Sequence, residues 1–289
     1  MIFPVQFAQT RRSIALAIAA LFVLPATTSA AWGQSGPPGK IVAVNGIDMH
    51  YEERGKGEPL LLLHGFGGCS SEWAPFAEVL SQNFRVIAVD LRGHGWSTNP
   101  ANAFTMRQSG EDIAALLDKL GIEKTRAIGI SAGGMTLLHL ATRHPERIES
   151  MVLIGASTHF PKETRAITAG SRWENLPPPV QQFFRACAKR GGDQVERLLT
   201  QFRGFSTSYE DMTFTPPTLG TIKARTLIVH GDRDEFFPVE IPVTMYEAIP
   251  GSELWIVPGG DHVPIYEDRM PEFLRVARMF LAGEKPAAK

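Results

Sequence analysis

The sequence predicts an α/β protein, a mostly parallel central sheet with helices on both faces and a small helical cap inserted into it. Three observations predict it. Short apolar runs such as Leu60–Leu63, Val86–Val89 and Ala127–Ile130 read as strands buried on both faces. Segments of helical period separate them, as strands that run parallel require. Residues 157–219 then break the alternation, with Pro177-Pro178-Pro179, Pro216-Pro217 and many aromatics but no buried strand run. An insertion of about 60 residues is too long for a simple loop and reads as a cap.

The elements follow in order. Residues 41–53 alternate in polarity around Asn45-Gly46, a pair suited to a tight hairpin turn. After the Leu60–Leu63 strand, Ser71–Leu80 fits a helix, and Val86–Val89 is the next strand. Ile113–Leu120 has helical period and ends at Gly121. Ala127–Ile130 runs directly into Ala132–Arg143, a strong helix former that His144-Pro145 stops. Met151–Ile154, Thr226–Val229 and Leu254–Val257 supply further strands. Met245–Ile249 belongs to the helix between the last two, and Pro271–Leu281 to a final one. The core therefore spans 40–156 and 220–285, with the cap at 157–219 between them. Most of the cap aromatics are expected to form the cap's own core.

Composition narrows the function. The 289 residues are 44% hydrophobic and 20% charged, as in an ordinary globular protein. With 29 basic against 30 acidic residues, no sequence-wide electrostatic attraction to nucleic acid exists. Two cysteines cannot build a disulfide framework or a Cys-rich zinc site.

Residues 1–31 differ from the rest. They hold no acidic residue, a basic pair Arg11-Arg12, an apolar run Ile14–Leu24, and small residues at Ala26, Ser29, Ala30 and Ala31. This is the pattern of a removable secretory signal. The run falls short of the roughly 20 residues of a membrane span, so no stable span is expected after cleavage. The expected location is periplasmic or secreted. Export makes a Cys69–Cys187 disulfide chemically permissible; two separate buried thiols fit the sequence equally well.

The candidate chemistry sits at strand ends. Gly129-Ile130-Ser131-Ala132-Gly133 is a G-x-S-x-G pentapeptide at a strand-to-helix junction, the context that gives the motif meaning. A sharp turn there would lift the Ser131 hydroxyl above the sheet edge, at a helix N-terminus that favours negative charge. A serine hydroxyl needs a base. Of eight histidines, His262 stands in a glycine-rich loop after the last strand, at the same sheet edge. The base needs an acid to hold its tautomer, and Asp234, after the Thr226–Val229 strand, is the choice. Asp232 reads as a turn brace, and Asp261 need not face its neighbour's ring. Backbone N–H groups of Phe66, in the glycine-rich loop 64–68, and of Ala132 are the candidate oxyanion donors. His64 reads as a brace for that loop, and Asp90–Ser97 as a structural turn. This chemistry calls for no metal and no organic cofactor.

Four motifs in this order, His64-Gly65-Phe66-Gly67, Asp90–Ser97, Gly129–Gly133 and the Asp234/His262 pair, resemble the α/β-hydrolase superfamily. The resemblance covers residues 41–283 and implies the α/β-hydrolase fold, with a cap after the Met151–Ile154 strand that shapes the substrate pocket. Ser131 sets the chain apart from relatives with an aspartate nucleophile, the haloalkane dehalogenases and epoxide hydrolases. The chain looks most like secreted bacterial carboxylesterases with a serine triad and a helical cap. That resemblance implies a small-molecule ester as substrate, cleaved through an acyl-enzyme, and the aromatic cap suggests an apolar one of small to medium size. Serine members that cleave carbon–carbon bonds, open lactones, hydrolyse amides or make peracids share these motifs. A non-catalytic ligand-binding protein on the same fold is the alternative of a different kind.

Overall fold

A computed structural model describes residues 38–284. The signal expected at 1–31 lies outside them.

Eight strands form one sheet in the order β1-β2-β4-β3-β5-β6-β7-β8. They are β1 (Lys40–Val44), β2 (Ile47–Arg54), β3 (Pro59–Leu63), β4 (Arg85–Val89), β5 (Thr125–Ile130), β6 (Ile148–Ile154), β7 (Arg225–Gly231) and β8 (Glu253–Val257). Only the β1–β2 and β2–β4 pairings are antiparallel. The hairpin turns at Asn45 and Gly46, with φ of 43° and 77°, the double positive φ of a type I′ turn.

Alternate residues of one strand enter different cores. Leu61 and Leu63 of β3 join one cluster, and Leu60 and Leu62 the other. The first face is covered by α2 (Met106–Lys119), α3 (Ala132–Arg143) and α8 (Glu240–Ala248). The second is covered by α1 (Ala74–Leu80) and α9 (Met270–Ala282). A sheet buried on both faces is why its central strands are apolar without interruption. The helix expected over Ser71–Leu80 begins as a 3-10 turn, Ser70–Trp73, and becomes α-helical where Pro75 enters the first turn of α1.

Between β6 and β7 the chain forms α4 (Lys162–Gly170), α5 (Pro178–Cys187), α6 (Gln194–Gly204) and the short α7 (Pro216–Leu219). Their own cluster includes Val180, Phe183, Phe184 and Leu199. Asp211 ties this segment back to the core by accepting hydrogen bonds from the Met106 and Arg107 amides at the start of α2.

The parallel strands end at one edge. There β4 lies to one side of β3 and β5 to the other, so the strand order reverses between the loops that follow β3 and β5. Such a switch point is where open α/β sheets bind ligands.

Candidate active site

The β5–α3 junction is strained. Ser131 has φ 47° and ψ −112°, a conformation that a side-chain-bearing residue adopts only when its surroundings impose it. Its amide donates to the Ile154 carbonyl at 2.8 Å, and its carbonyl accepts from the Met135 amide at 2.8 Å. The flanking glycines make the turn possible. A Cβ at Gly129 would lie 2.6 Å from the Gly133 carbonyl carbon, and one at Gly133 only 2.3 Å from the Leu63 carbonyl oxygen.

The loop after β7 presents Asp234 to His262. Asp234 Oδ2 accepts from His262 Nδ1 at 2.8 Å, while Oδ1 accepts from the Phe236 and Phe237 amides at 2.8 and 3.0 Å. Burial by itself would raise this carboxyl. The charge and hydrogen bond of His262, with His230 and the Phe237 amide, outweigh burial and hold Asp234 below its ordinary value. The charged carboxylate fixes the proton on His262 Nδ1 and leaves Nε2 as an acceptor.

The loop after β3 packs against the Ser131 turn, a Cβ at Gly65 falling 3.7 Å from that of Ser131. His64 is fully buried; its Nδ1–H donates to the Gly65 carbonyl, and its Nε2 accepts from the Leu91 amide. Burial lowers its pKa and keeps it neutral. Asp90 anchors the same region, taking hydrogen bonds from the Ser70 and Trp96 amides and from His50. The Phe66 ring turns into the cap, stacked on Phe202 with centroids 5.1 Å apart. Cys69 in this loop is joined to Cys187 of α5 by a disulfide across 118 residues.

A cavity of about 290 Å³ opens here, lined by Ser131, His262, Phe66 and Ala132 together. The structure thus brings four of the five candidate residues to one wall and sets the fifth, Asp234, behind the histidine. Asp232 is exposed, and Asp261 braces its own loop by accepting from the Val263 amide. Phe160, Phe183, Phe184, Phe202 and Phe205 line the cavity. Most cap aromatics were expected to form the cap's own core; these five line the cavity and also pack on one another, in the pairs Phe160–Phe205, Phe183–Phe184 and Phe202–Phe205.

Sequence reasoning missed three features. His230, buried behind Asp234, donates to the Phe237 carbonyl at 2.8 Å and steadies the acid loop. Glu72 lines the cavity although its carboxyl is buried. The cysteine pairing was left open, because no local pattern reports it. Among the described residues, no cluster of three or more His, Cys, Asp or Glu side chains is arranged to hold a metal ion, and no helix is long and apolar enough to cross a membrane.

Comparison with known proteins agrees with this architecture. The family model of the alpha/beta hydrolase fold matches residues 58–186. The chain is 30% identical over 276 residues to a 2-hydroxymuconate semialdehyde hydrolase of Pseudomonas putida, covering 86% of this chain and 96% of the relative. It is 30% identical over 270 residues to the human serine hydrolase BPHL, covering 88% and 89%. The solved enol-lactonase of Burkholderia xenovorans LB400 superposes with a TM-score of 0.68 at 25% identity, covering 84% of this chain and all of that one. With the switch-point cavity, the strained serine turn and relatives matched over nearly their whole length, the chain belongs to the α/β-hydrolase family.

Proposed function

We propose that this hydrolase is an exported serine enzyme that cleaves uncharged carboxylic esters, open-chain or cyclic. Ser131 attacks the acyl carbon while His262 Nε2 takes its proton. The Phe66 and Ala132 amides hold the oxyanion. His262 then protonates the alcohol as it leaves, and later deprotonates the water that releases the acid. Asp234 keeps the imidazole in the required tautomer throughout. The substrate is a small molecule of small to medium size, as a cavity of about 290 Å³ supports.

The observation that carries the choice of substrate is the charge of the cavity wall. Its acidic side chains are Glu72, Asp261 and Glu267, and its one arginine, Arg269, gives Nη2 to the Gly259 carbonyl at 3.0 Å. Among the described residues the wall offers no buried lysine or arginine to receive a carboxylate, which the muconate of the Pseudomonas relative carries by its name. An acyl group without charge suits such a wall, because an unpaired carboxylate is expensive to desolvate. The lactonase among the solved neighbours acts, by its name, on a cyclic ester, which fits the same reading. Export is supported by the Cys69–Cys187 bridge, since disulfides persist in oxidising compartments.

The test is hydrolysis of p-nitrophenyl acetate, butyrate and octanoate by the purified protein beside Ser131→Ala. Turnover should fall by at least about 10³-fold in the variant. Faster turnover of a 2-hydroxy-6-oxo-dienoate than of any ester would move the assignment to carbon–carbon cleavage. Equal ester turnover in both proteins would refute Ser131 as nucleophile.

A further inference from the structure

Of the ionisable groups that line the cavity outside the triad, one is buried. Glu72 lies in the 3-10 turn after the candidate oxyanion loop, and only 7% of its surface is exposed. The Cys69 amide lies near enough to its carboxyl to favour the charged form, in the reach-back position of a glutamate in the first turn of a helix. Its Oε1 is buried and has no hydrogen-bond partner in the protein, on a residue that lines the same cavity as Ser131 and His262. The carboxyl is held flat against the loop, for a Cβ at Gly68 would lie 2.4 Å from Oε1. It is therefore a placed group, packed on Gly68, the residue that follows Phe66-Gly67, and not a side chain sweeping through the pocket.

We propose that Glu72 is a specificity residue, whose carboxyl hydrogen-bonds an uncharged acceptor oxygen, of the ether or carbonyl class, on the ester or lactone bound at Ser131. The proposal rests on the ester reading above and adds what the ester must carry. A buried polar atom without a partner, on a residue that lines a cavity, is satisfied when the ligand brings one. Phe183, Phe184 and Phe202 of the same cavity supply only apolar contact. Burial first, and then the negative charge of Asp90, push the Glu72 pKa well above the ordinary value, with only the Cys69 amide opposing them. A carboxyl that keeps its proton can donate to an ether or carbonyl oxygen. Its neutrality also matters for the reaction, because a carboxylate so close to the oxyanion loop would oppose the charge that develops there. Discrimination of this kind is strong. A site built to pair with a polar group rejects the analogue that lacks it more sharply than an apolar pocket rejects a missing methylene.

Two isosteric ester pairs test this, one for each side of the scissile bond. The first is p-nitrophenyl methoxyacetate against p-nitrophenyl butyrate, and the second is 2-methoxyethyl butyrate against butyl butyrate. The readout is the ratio of kcat/KM for ether over alkyl ester, in wild type, Glu72→Gln and Glu72→Leu. In at least one pair, that ratio should fall about five- to a hundredfold in Glu72→Leu. It should stay within about threefold of wild type in Glu72→Gln, whose amide still donates. Intrinsic reactivity cancels, since each ratio is compared across variants. Ratios indifferent to both substitutions overturn the proposal. So does a preference for 6-aminohexanoate esters that Glu72→Gln abolishes, because the group would then be a carboxylate pairing a cation. Should Glu72→Leu not fold, infrared difference spectra of wild type against Glu72→Gln decide. A protonated-carboxyl C=O band absent from the glutamine variant must shift when 2-methoxyethanol or methoxyacetamide is added; a missing or unmoved band overturns the proposal. If wild type hydrolyses no ester at all, the ester reading falls and this one with it. If it hydrolyses esters while both ratios ignore Glu72, only the role of Glu72 falls.

Discussion

Gly133→Ala tests the coupling between the Ser131 turn and the proposed oxyanion loop most directly. The added methyl would meet the Leu63 carbonyl oxygen at 2.3 Å, the Leu63 carbonyl carbon at 2.7 Å and the His64 oxygen at 2.8 Å. All three are backbone atoms, at the end of β3 and the start of the loop that carries the Phe66 amide, so none can swing aside as a side chain would. Ordinary contact begins near 3.4 Å, and the two segments must therefore part by about 1 Å. A displacement of that size at a reacting group costs about 10²-fold in rate, and overpacking of this kind costs about 1–3 kcal/mol in stability. We expect kcat on p-nitrophenyl butyrate to fall about 10²-fold. KM should change less, because much of the cavity wall belongs to the cap. The urea midpoint, read by circular dichroism, should fall as well. Gly170→Ala is the matched control, at the end of α4 with nothing within 4 Å of the new methyl. Its stability should stay within about 1 kcal/mol of wild type. A Gly133→Ala enzyme with kcat within threefold of wild type would refute the coupling.

Two further predictions concern stability. Replacing both Cys69 and Cys187 by serine removes a crosslink spanning 118 residues, and should lower unfolding stability by about 2–5 kcal/mol. Reduced wild type should match the double variant, and equal denaturation midpoints for oxidised and reduced protein would refute a bridge. The second prediction is a pH dependence of known sign. Glu72 binds its proton more tightly in the folded protein than in the unfolded chain, chiefly through burial and then Asp90. Its contribution is complete below the ordinary glutamate value of 4.5 and declines as pH rises toward the folded value. Glu72→Gln has no proton to lose there. The melting temperature of wild type relative to Glu72→Gln should therefore fall between pH 4 and pH 8, and a constant difference would refute a raised pKa.

Several of these features are readable in the sequence because their causes are local. Asn45-Gly46 announces its hairpin, since both residues take positive φ with little strain. The apolar runs announce the sheet, because strands covered on both faces have no polar side to show. Gly129 and Gly133 announce the turn at Ser131, as any Cβ there would strike backbone only a few residues or one strand away. Asp234 and His262 were legible by a weaker sign, their place after strands of one parallel sheet, whose ends must share an edge.

What remained hidden depends on contacts between distant segments. Nothing near Cys69 or Cys187 tells that α5 lies over the oxyanion loop, so their pairing waited for the cap to be placed. His230 reads as one more strand residue until the chain folds back to set Asp234 in front of it. In sequence Glu72 is a helix-start glutamate beside a serine. Only the folded structure buries its carboxyl, against Gly68 and near Asp90, on the wall of the cavity. The sequence by itself determined the sheet, its crossovers and the serine turn, because backbone geometry and burial pattern act over a few residues. The cavity and the charged groups on its wall come from the tertiary structure, because desolvation belongs to the assembled wall and to no single segment of the chain.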